Sequence, residues 1–209
     1  MTRTGGEARR RVLLEEAVRQ FGSKGYDGAS LESVASACGV RKQTLLYYFP
    51  TKDALFEACV LEVSARVAIK LTEALAEEQE PSRKAETVIH TLFSLAGEWP
   101  VFPQFAREAG RMGPEVIQQF AEALEPLRLR AIGFLENSMA EGRIRRQDPA
   151  LLLFTLYTAV VGSITEAGVL RAVVGEDRSR MALHRREEEV LAFVRSALMP
   201  PATAPAESG

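Results

Sequence analysis

Cysteine, histidine and tryptophan are scarce in this chain of 209 residues, which holds two Cys, two His and one Trp. Cys38 and Cys59 stand 21 residues apart with no CxxC and no histidine pair beside them, which excludes a zinc or redox motif and predicts two small buried thiols in a reducing compartment. Neither His90 nor His184 has a Glu three residues before it, so a di-metal carboxylate bundle is excluded as well. The sequence also lacks HExxH, GxSxG, a P-loop and GxGxxG; it therefore calls for no enzyme activity, no cofactor and no metal. Met1 to Ala8 are polar, without the apolar stretch of a signal peptide, and a cytoplasmic location is expected. Long apolar runs are missing but for residues 149–175. Thr155, Thr158, Ser163, Thr165, Glu166 and Arg171 interrupt that run and no basic cluster flanks it, so it reads as a helix buried on two sides and not as a membrane span.

What is present is an ordinary globular composition, 46% hydrophobic and 26% charged, long enough to bury a real core. The net charge of −2 is unevenly spread: residues 1–55 hold nine Lys/Arg against six Asp/Glu, and the rest 17 against 22. A small cationic module joined to a larger acidic body suits a nucleic-acid partner for the first part only.

Apolar residues recur at helical spacing along the whole chain, which predicts an all-α fold of about nine helices. Leu13, Leu14, Ala17, Val18 and Phe21 predict a first helix over 7–24, stopped by Gly22 to Gly25. Ser30 reads as the N-cap of a short second helix carrying Leu31, Val34, Ala35 and Cys38, with Glu32 in its positive first turn and Gly39 ending it. Residues 44–49 are rich in strand formers, yet the motif in which they stand predicts a third helix over 41–49. A long helix over 52–80, one from Pro81 to Trp99, one over 101–112, one from Pro114 to Glu141 kinked at Pro126, one over 150–174 and one over 177–198 follow, and residues 200–209 form an unfolded tail.

Ser30 to Asp53 is therefore a capped helix, a glycine turn and a helix that opens with Arg41, Lys42, Gln43 and Thr44. Gly39 supplies the backbone freedom of a tight turn, and Arg, Lys and Gln are the side chains that reach base edges in a major groove. By pattern alone, an αα-hairpin with a solvated basic face is an equal reading.

The residues in order break that tie. Leu13-Leu14, Ala17-Val18, Phe21 and Gly25-Tyr26, then Ser30-Leu31-Glu32-Ser33-Val34-Ala35, then Cys38-Gly39-Val40, Thr44-Leu45, Tyr47-Tyr48-Phe49 and Lys52-Asp53-Ala54-Leu55, resemble the DNA-binding domain of the TetR family of bacterial transcription regulators. The resemblance implies a three-helix helix-turn-helix domain over 1–55 and a larger helical ligand-binding and dimerisation domain over 56–199. It implies phosphate contacts for Thr44, Tyr48 and Lys52, and a backbone or thymine-methyl contact for Tyr47; Arg41, Lys42 and Gln43 would face the bases. Arg41 stands where the family usually has Ser, Gln43 where Gly is frequent, and Leu46 where a Tyr is frequent, which shifts sequence preference.

The function implied is a homodimeric repressor that leaves a near-palindromic DNA operator when a small molecule binds. A helical ligand carrier whose helix-turn-helix has lost its operator, and a non-specific DNA-compacting protein, are the rivals. The effector is expected to be largely apolar, lined by Phe93, Trp99, Phe102, Phe105, Phe120, Phe134 and Tyr157, with His90 or Glu166 as polar contacts; the competing reading is that these aromatics, and His90, fill the core. The last two helices are expected to pair with their symmetry mates. Ala159, Gly162, Ser163 and Glu166 on one, with Val190, Leu191 and Val194 on the other, would form that interface, because only Glu166 and Arg171 are charged between Pro149 and Gly175.

Overall fold

The computed structural model describes residues 3–76, 78, 80–175 and 179–199. Among them there are ten α-helices and no strand: α1 Arg3–Gly28, α2 Leu31–Ala37, α3 Lys42–Tyr48, α4 Lys52–Ala74, α5 Pro81–Glu98, α6 Val101–Arg111, α7 Pro114–Ala140, α8 Pro149–Thr165, α9 Ala167–Val174 and α10 Arg180–Leu198. The expected tail at 200–209, and the expected helix start at Asp177, lie outside the described residues.

Most expected elements are present, the third helix among them, and one is divided in two. The first helical run of α1 is broken at Gly25, within the stop expected at Gly22 to Gly25: Gly25 leaves the helical region, at φ 74° and ψ 170°, a conformation that costs a residue with a Cβ, and the chain is helical again to Gly28. The helix expected over 150–174 is two helices. Glu166 breaks it at φ −91° and ψ 39°, and the guanidinium of Arg186 takes up a carbonyl freed near the end of α8, donating from Nη1 to the Ser163 oxygen at 2.9 Å. The strand-forming run at 44–49 is helical through Tyr48 because Leu45 and Phe49 are drawn into the core; burial overrides local propensity. As expected, α7 is one long helix that runs through Pro126.

Two compact units result. The first comprises residues up to Lys70 with Ser94–Glu125, and the second Leu71–Phe93 with the chain from Pro126 onward, so α4, α5 and α7 each contribute to both. In the first unit Leu13, Leu14, Ala17, Val18 and Phe21 of α1 are buried with Val34 and Ala35 of α2, Leu45 of α3, and Leu55, Phe56, Cys59 and Val60 of α4. α6 lies against α1 so closely that a Cβ on Gly22 would stand 2.8 Å from Val101 Cγ2 and 3.0 Å from the Val101 carbonyl, which leaves room only for hydrogen. In the second unit Ala182, Arg186, Val190, Val194 and Leu198 form a period-four buried stripe on α10, the helix that packs on α8.

Candidate functional site

The helix-turn-helix is stitched to α1 by one buried amide. Gln20 donates from Nε2 to Glu16 Oε1 at 2.7 Å and to the Ser33 carbonyl at 3.1 Å, and accepts from Ser33 Oγ at 2.6 Å. Ser33 is also the second half of a capping box: its amide donates to Ser30 Oγ at 3.0 Å, and its own Oγ accepts from the Ser30 amide at 3.1 Å. Ser30 is thus the N-cap its position predicted. The hydrogen bond from Arg19 holds the Glu16 carboxyl below its ordinary range, so Glu16 stays an acceptor for Gln20. Sequence reasoning passed over Gln20, because a polar residue on an amphipathic helix reads as surface until α2 is laid across it.

This frame presents α3. Arg41 is its extended N-cap and makes no side-chain capping bond; Arg41, Lys42, Gln43 and Tyr47 are exposed, and Thr44, Tyr48 and Lys52 are half-buried. Tyr47 is 83% exposed and meets Tyr48 edge to face, ring centroids 5.2 Å apart, so its ring does not pack into the core. Lys42 Nζ lies 3.7 Å from Glu32 on α2. Lys52, at the start of α4, is held over the Tyr26 ring with Nζ 4.2 Å from the centroid, and the Tyr26 hydroxyl donates to Asp53. Burial, the bond to Asp53 and that carboxylate's charge push the Tyr26 phenol up to about 12. Tyr26 is thereby a neutral platform that orients a cation. Its amide is anchored in turn by Glu108 of α6, at 2.6 Å. The cysteines take no part: Cys59 is buried, Cys38 is half-buried where full burial was expected, and burial pushes both thiols up.

The nine residues expected around an effector are divided between the two units. Trp99, Phe102, Phe105 and Phe120 belong to the first unit, and His90, Phe93, Phe134, Tyr157 and Glu166 to the second. Phe105 is a core residue, 5.4 Å from the Phe56 ring, and Trp99 stacks on Phe102 at 5.9 Å with the Arg66 guanidinium 4.3 Å from its own centroid. Phe93 is buried, Phe120 is half-buried, and Phe134 is half-buried beneath Lys84, 4.1 Å from its centroid. Tyr157 and Glu166 are exposed. His90, expected in the core or a pocket wall, is on the surface: its side chain is 73% exposed and its Nδ1 lies 2.8 Å from Glu187 on α10. It follows Ile89 on α5, and one helical residue is 100° of rotation, enough to carry it off the apolar face. An open depression of about 330 Å³ in the second unit is edged by Glu80, Glu86, Arg143 and Arg195, with none of the nine among its lining residues. Sequence gave no signal for Gln119 on α7, whose side-chain oxygen is buried without a hydrogen-bond partner.

Two of the residues expected at a subunit interface are buried within the chain. Val190 and Val194 are buried in the stripe with which α10 packs on α8 of the same chain. Ala159, Gly162, Ser163 and Leu191 are half-buried, and Glu166 is exposed. The large apolar side chains left open on α8, α9 and α10 are instead Leu151, Phe154, Tyr157, Val169, Val173, Met181 and Phe193. Among the described residues no helix is long and apolar enough to cross a membrane, and no group of three His, Cys, Asp or Glu is placed to hold a metal ion.

Comparison with known proteins converges on one family. Residues 13–59 match the model described as bacterial regulatory proteins, tetR family. The HTH-type transcriptional regulator RutR of Escherichia coli K12 is 25% identical over 169 residues, 80% of this chain and 79% of that protein. Among solved structures, the transcriptional regulator FadR of Bacillus subtilis in complex with stearoyl-CoA superposes with a TM-score of 0.76 at 19% identity, covering 90% of this chain and 98% of that one. AibR, in complex with isovaleryl coenzyme A and operator DNA, superposes at 0.72 with 18% identity, covering 92% and 99%.

Proposed function

The chain belongs to the TetR family of bacterial regulatory proteins, and from that premise we propose that it is a ligand-responsive transcription regulator that binds a near-palindromic operator as a homodimer and represses until a small molecule releases it. The observation that carries this reading is the face of α3: four exposed side chains, Arg41, Lys42, Gln43 and Tyr47, on a short helix whose partner is locked by the capping box and Gln20. A degenerate helix-turn-helix has no need of that arrangement. Arg41, Lys42 and Gln43 are assigned to bases, and Thr44, Tyr48 and the Tyr26-held Lys52 to phosphates.

Release requires that the effector bind the operator-incompetent state more tightly than the competent one, since equal affinity shifts nothing. RutR, FadR and AibR are regulators, and the two structures hold acyl-CoA thioesters. An acyl chain agrees with the expectation of a largely apolar effector. The homodimer is assigned to the open apolar side chains of α8 and α10, Phe154 and Phe193 foremost, in place of Val190 and Val194. Nothing in this reading involves catalysis.

Fluorescence anisotropy with the intergenic DNA beside the coding region, against random-sequence duplex of equal length, tests the proposal. The expected result is a preference for the intergenic DNA that Gln43→Ala reduces by about 1–3 kcal/mol and that acyl-CoA thioesters abolish. Equal affinity for the two DNAs would overturn it in favour of a carrier or a compacting protein.

A further inference from the structure

The matched helix-turn-helix is short of positive charge. Residues 13–59 hold five Lys/Arg against six Asp/Glu, whereas residues 3–11 hold four Arg against one Glu, so the whole cationic excess of the N-terminal region lies outside the part that matches the family. Even the cations inside the match are partly engaged: Arg19 with Glu16 at 2.7 Å, and Lys42 with Glu32 at 3.7 Å. A duplex carries one negative charge per roughly 1.7 Å of axis, and affinity for it rests largely on phosphate neutralisation. A module with no net positive charge needs that neutralisation from elsewhere.

We propose that the first turns of α1, through Arg9 and Arg10, form a second DNA-contacting surface that grips backbone phosphates beside the recognition helix. This rests on the operator-binding reading and extends it to residues that the family match does not include. Placement supports it. A Cβ on Gly6 would stand 3.7 Å from the Tyr48 hydroxyl, and the Arg10 guanidinium lies 5.3 Å from the Phe49 ring, so the start of α1 runs beside the C-terminal end of α3 and Tyr48, the residue assigned above to a phosphate. Side-chain chemistry supports it as well. Arg11 turns to Glu15 at 3.8 Å, but Arg9 and Arg10 are exposed and pair with no carboxylate among the described residues. Their positions on α1 explain why. Leu13, Ala17 and Phe21 form its buried stripe, and one turn before Leu13 that stripe passes to Arg10 and Gly6, where a helix built only to pack would continue apolar. The segment thus has the chemistry of a polyanion ligand and the position to share the groove edge with α3.

The test is the salt dependence of binding to random-sequence duplex DNA, which needs no operator. In Arg9→Ala with Arg10→Ala the slope of log K against log[salt] should fall by about two, with affinity for random and intergenic DNA reduced by the same factor, on the order of 10-fold to 100-fold near 0.1 M salt. The Arg9→Lys with Arg10→Lys protein should keep the wild-type slope, since the grip is charge and not shape. Arg9→Gln with Arg10→Gln, which keeps a polar aliphatic side chain at each position, should repeat the loss if the alanine protein folds poorly. An unchanged slope in the glutamine protein, or an equal loss in the lysine protein, overturns the inference while leaving the operator reading intact. Loss of preference for intergenic DNA in the wild type, with the slope change present, overturns the operator reading instead.

Discussion

In the first unit the large aromatic side chains are consumed by one another: Phe21, Phe56 and Phe105 are nearly inaccessible, with Phe56 meeting Phe21 at 4.9 Å and Tyr26 at 5.3 Å between ring centroids. On α8 and α10 of the second unit, Phe154 is 61% exposed and Phe193 54%, although their helices also present buried stripes. The two regions have similar raw material and spend it differently. The first closes its core with side chains of its own chain and exposes polar groups on α3. The second packs α8 and α10 against each other and still leaves aromatic surface open, the surface to which the proposed homodimer is assigned.

The sharpest way to break this contrast is to truncate one aromatic from each region. Phe56→Ala should cost about 3–5 kcal/mol in urea unfolding, because it removes the ring shared by Phe21, Tyr26 and Phe105. A cost below 1 kcal/mol would mean that the first unit's aromatic cluster is not its keystone.

Phe154→Glu with Phe193→Glu should leave the far-ultraviolet circular dichroism unchanged but weaken self-association by about 2 kcal/mol or more, read by sedimentation equilibrium at micromolar concentration. A dimer undisturbed by that pair, or a 23 kDa species in the wild type, would remove the assignment of these helices to the subunit contact.

A smaller effect tests the platform beneath Lys52. The Tyr26 phenol ionises at about 12 in the folded protein against 10.0 for an ordinary tyrosine, chiefly through burial and then through Asp53. A raised folded value means that the neutral phenol is favoured by folding, so its contribution is fully present below pH 10 and is lost as pH rises through about 12. In a phenolate absorbance titration, a step near pH 12 should be present in the wild type and missing in Tyr26→Phe. Asp53→Asn should bring that step to lower pH, and an unmoved step would discard the role given to Asp53.

The smallest change expected is at the surface tie between α5 and α10. His90→Gln should cost less than about 1 kcal/mol and leave effector release of DNA unaltered, because the imidazole side of the pair is open to solvent. Altered release in that protein would return His90 to the effector site and blur the distinction between closed core and open surface.

Much of this molecule was legible before any coordinates. The apolar periodicity placed nearly all the helices, Ser30 was readable as a cap, and the order of residues from Leu13 to Leu55 pointed to the family. Local signals of this kind are written within one or two helical turns. Residue 25 shows both their reach and their limit: the glycines announce the break in α1, but not that the Tyr26 amide beyond it is taken up by Glu108, 82 positions away. At Glu166 nothing nearby forbids a continuous helix, and the break is stabilised by Arg186 from another element.

Periodicity determined that α10 has an apolar stripe, and tertiary structure alone decided that Val190 and Val194 turn it toward α8 of the same chain while Phe193 is left outside. Composition likewise determined that the N-terminal end is cationic, and the fold decided that Arg10 comes to lie on Phe49, beside α3. The physical reason is common to both cases. A sequence specifies which faces of a helix avoid water, but which neighbour satisfies each face depends on the packing of side chains far apart in the chain, and one helical position, 100° of rotation, separates a core residue from a surface one.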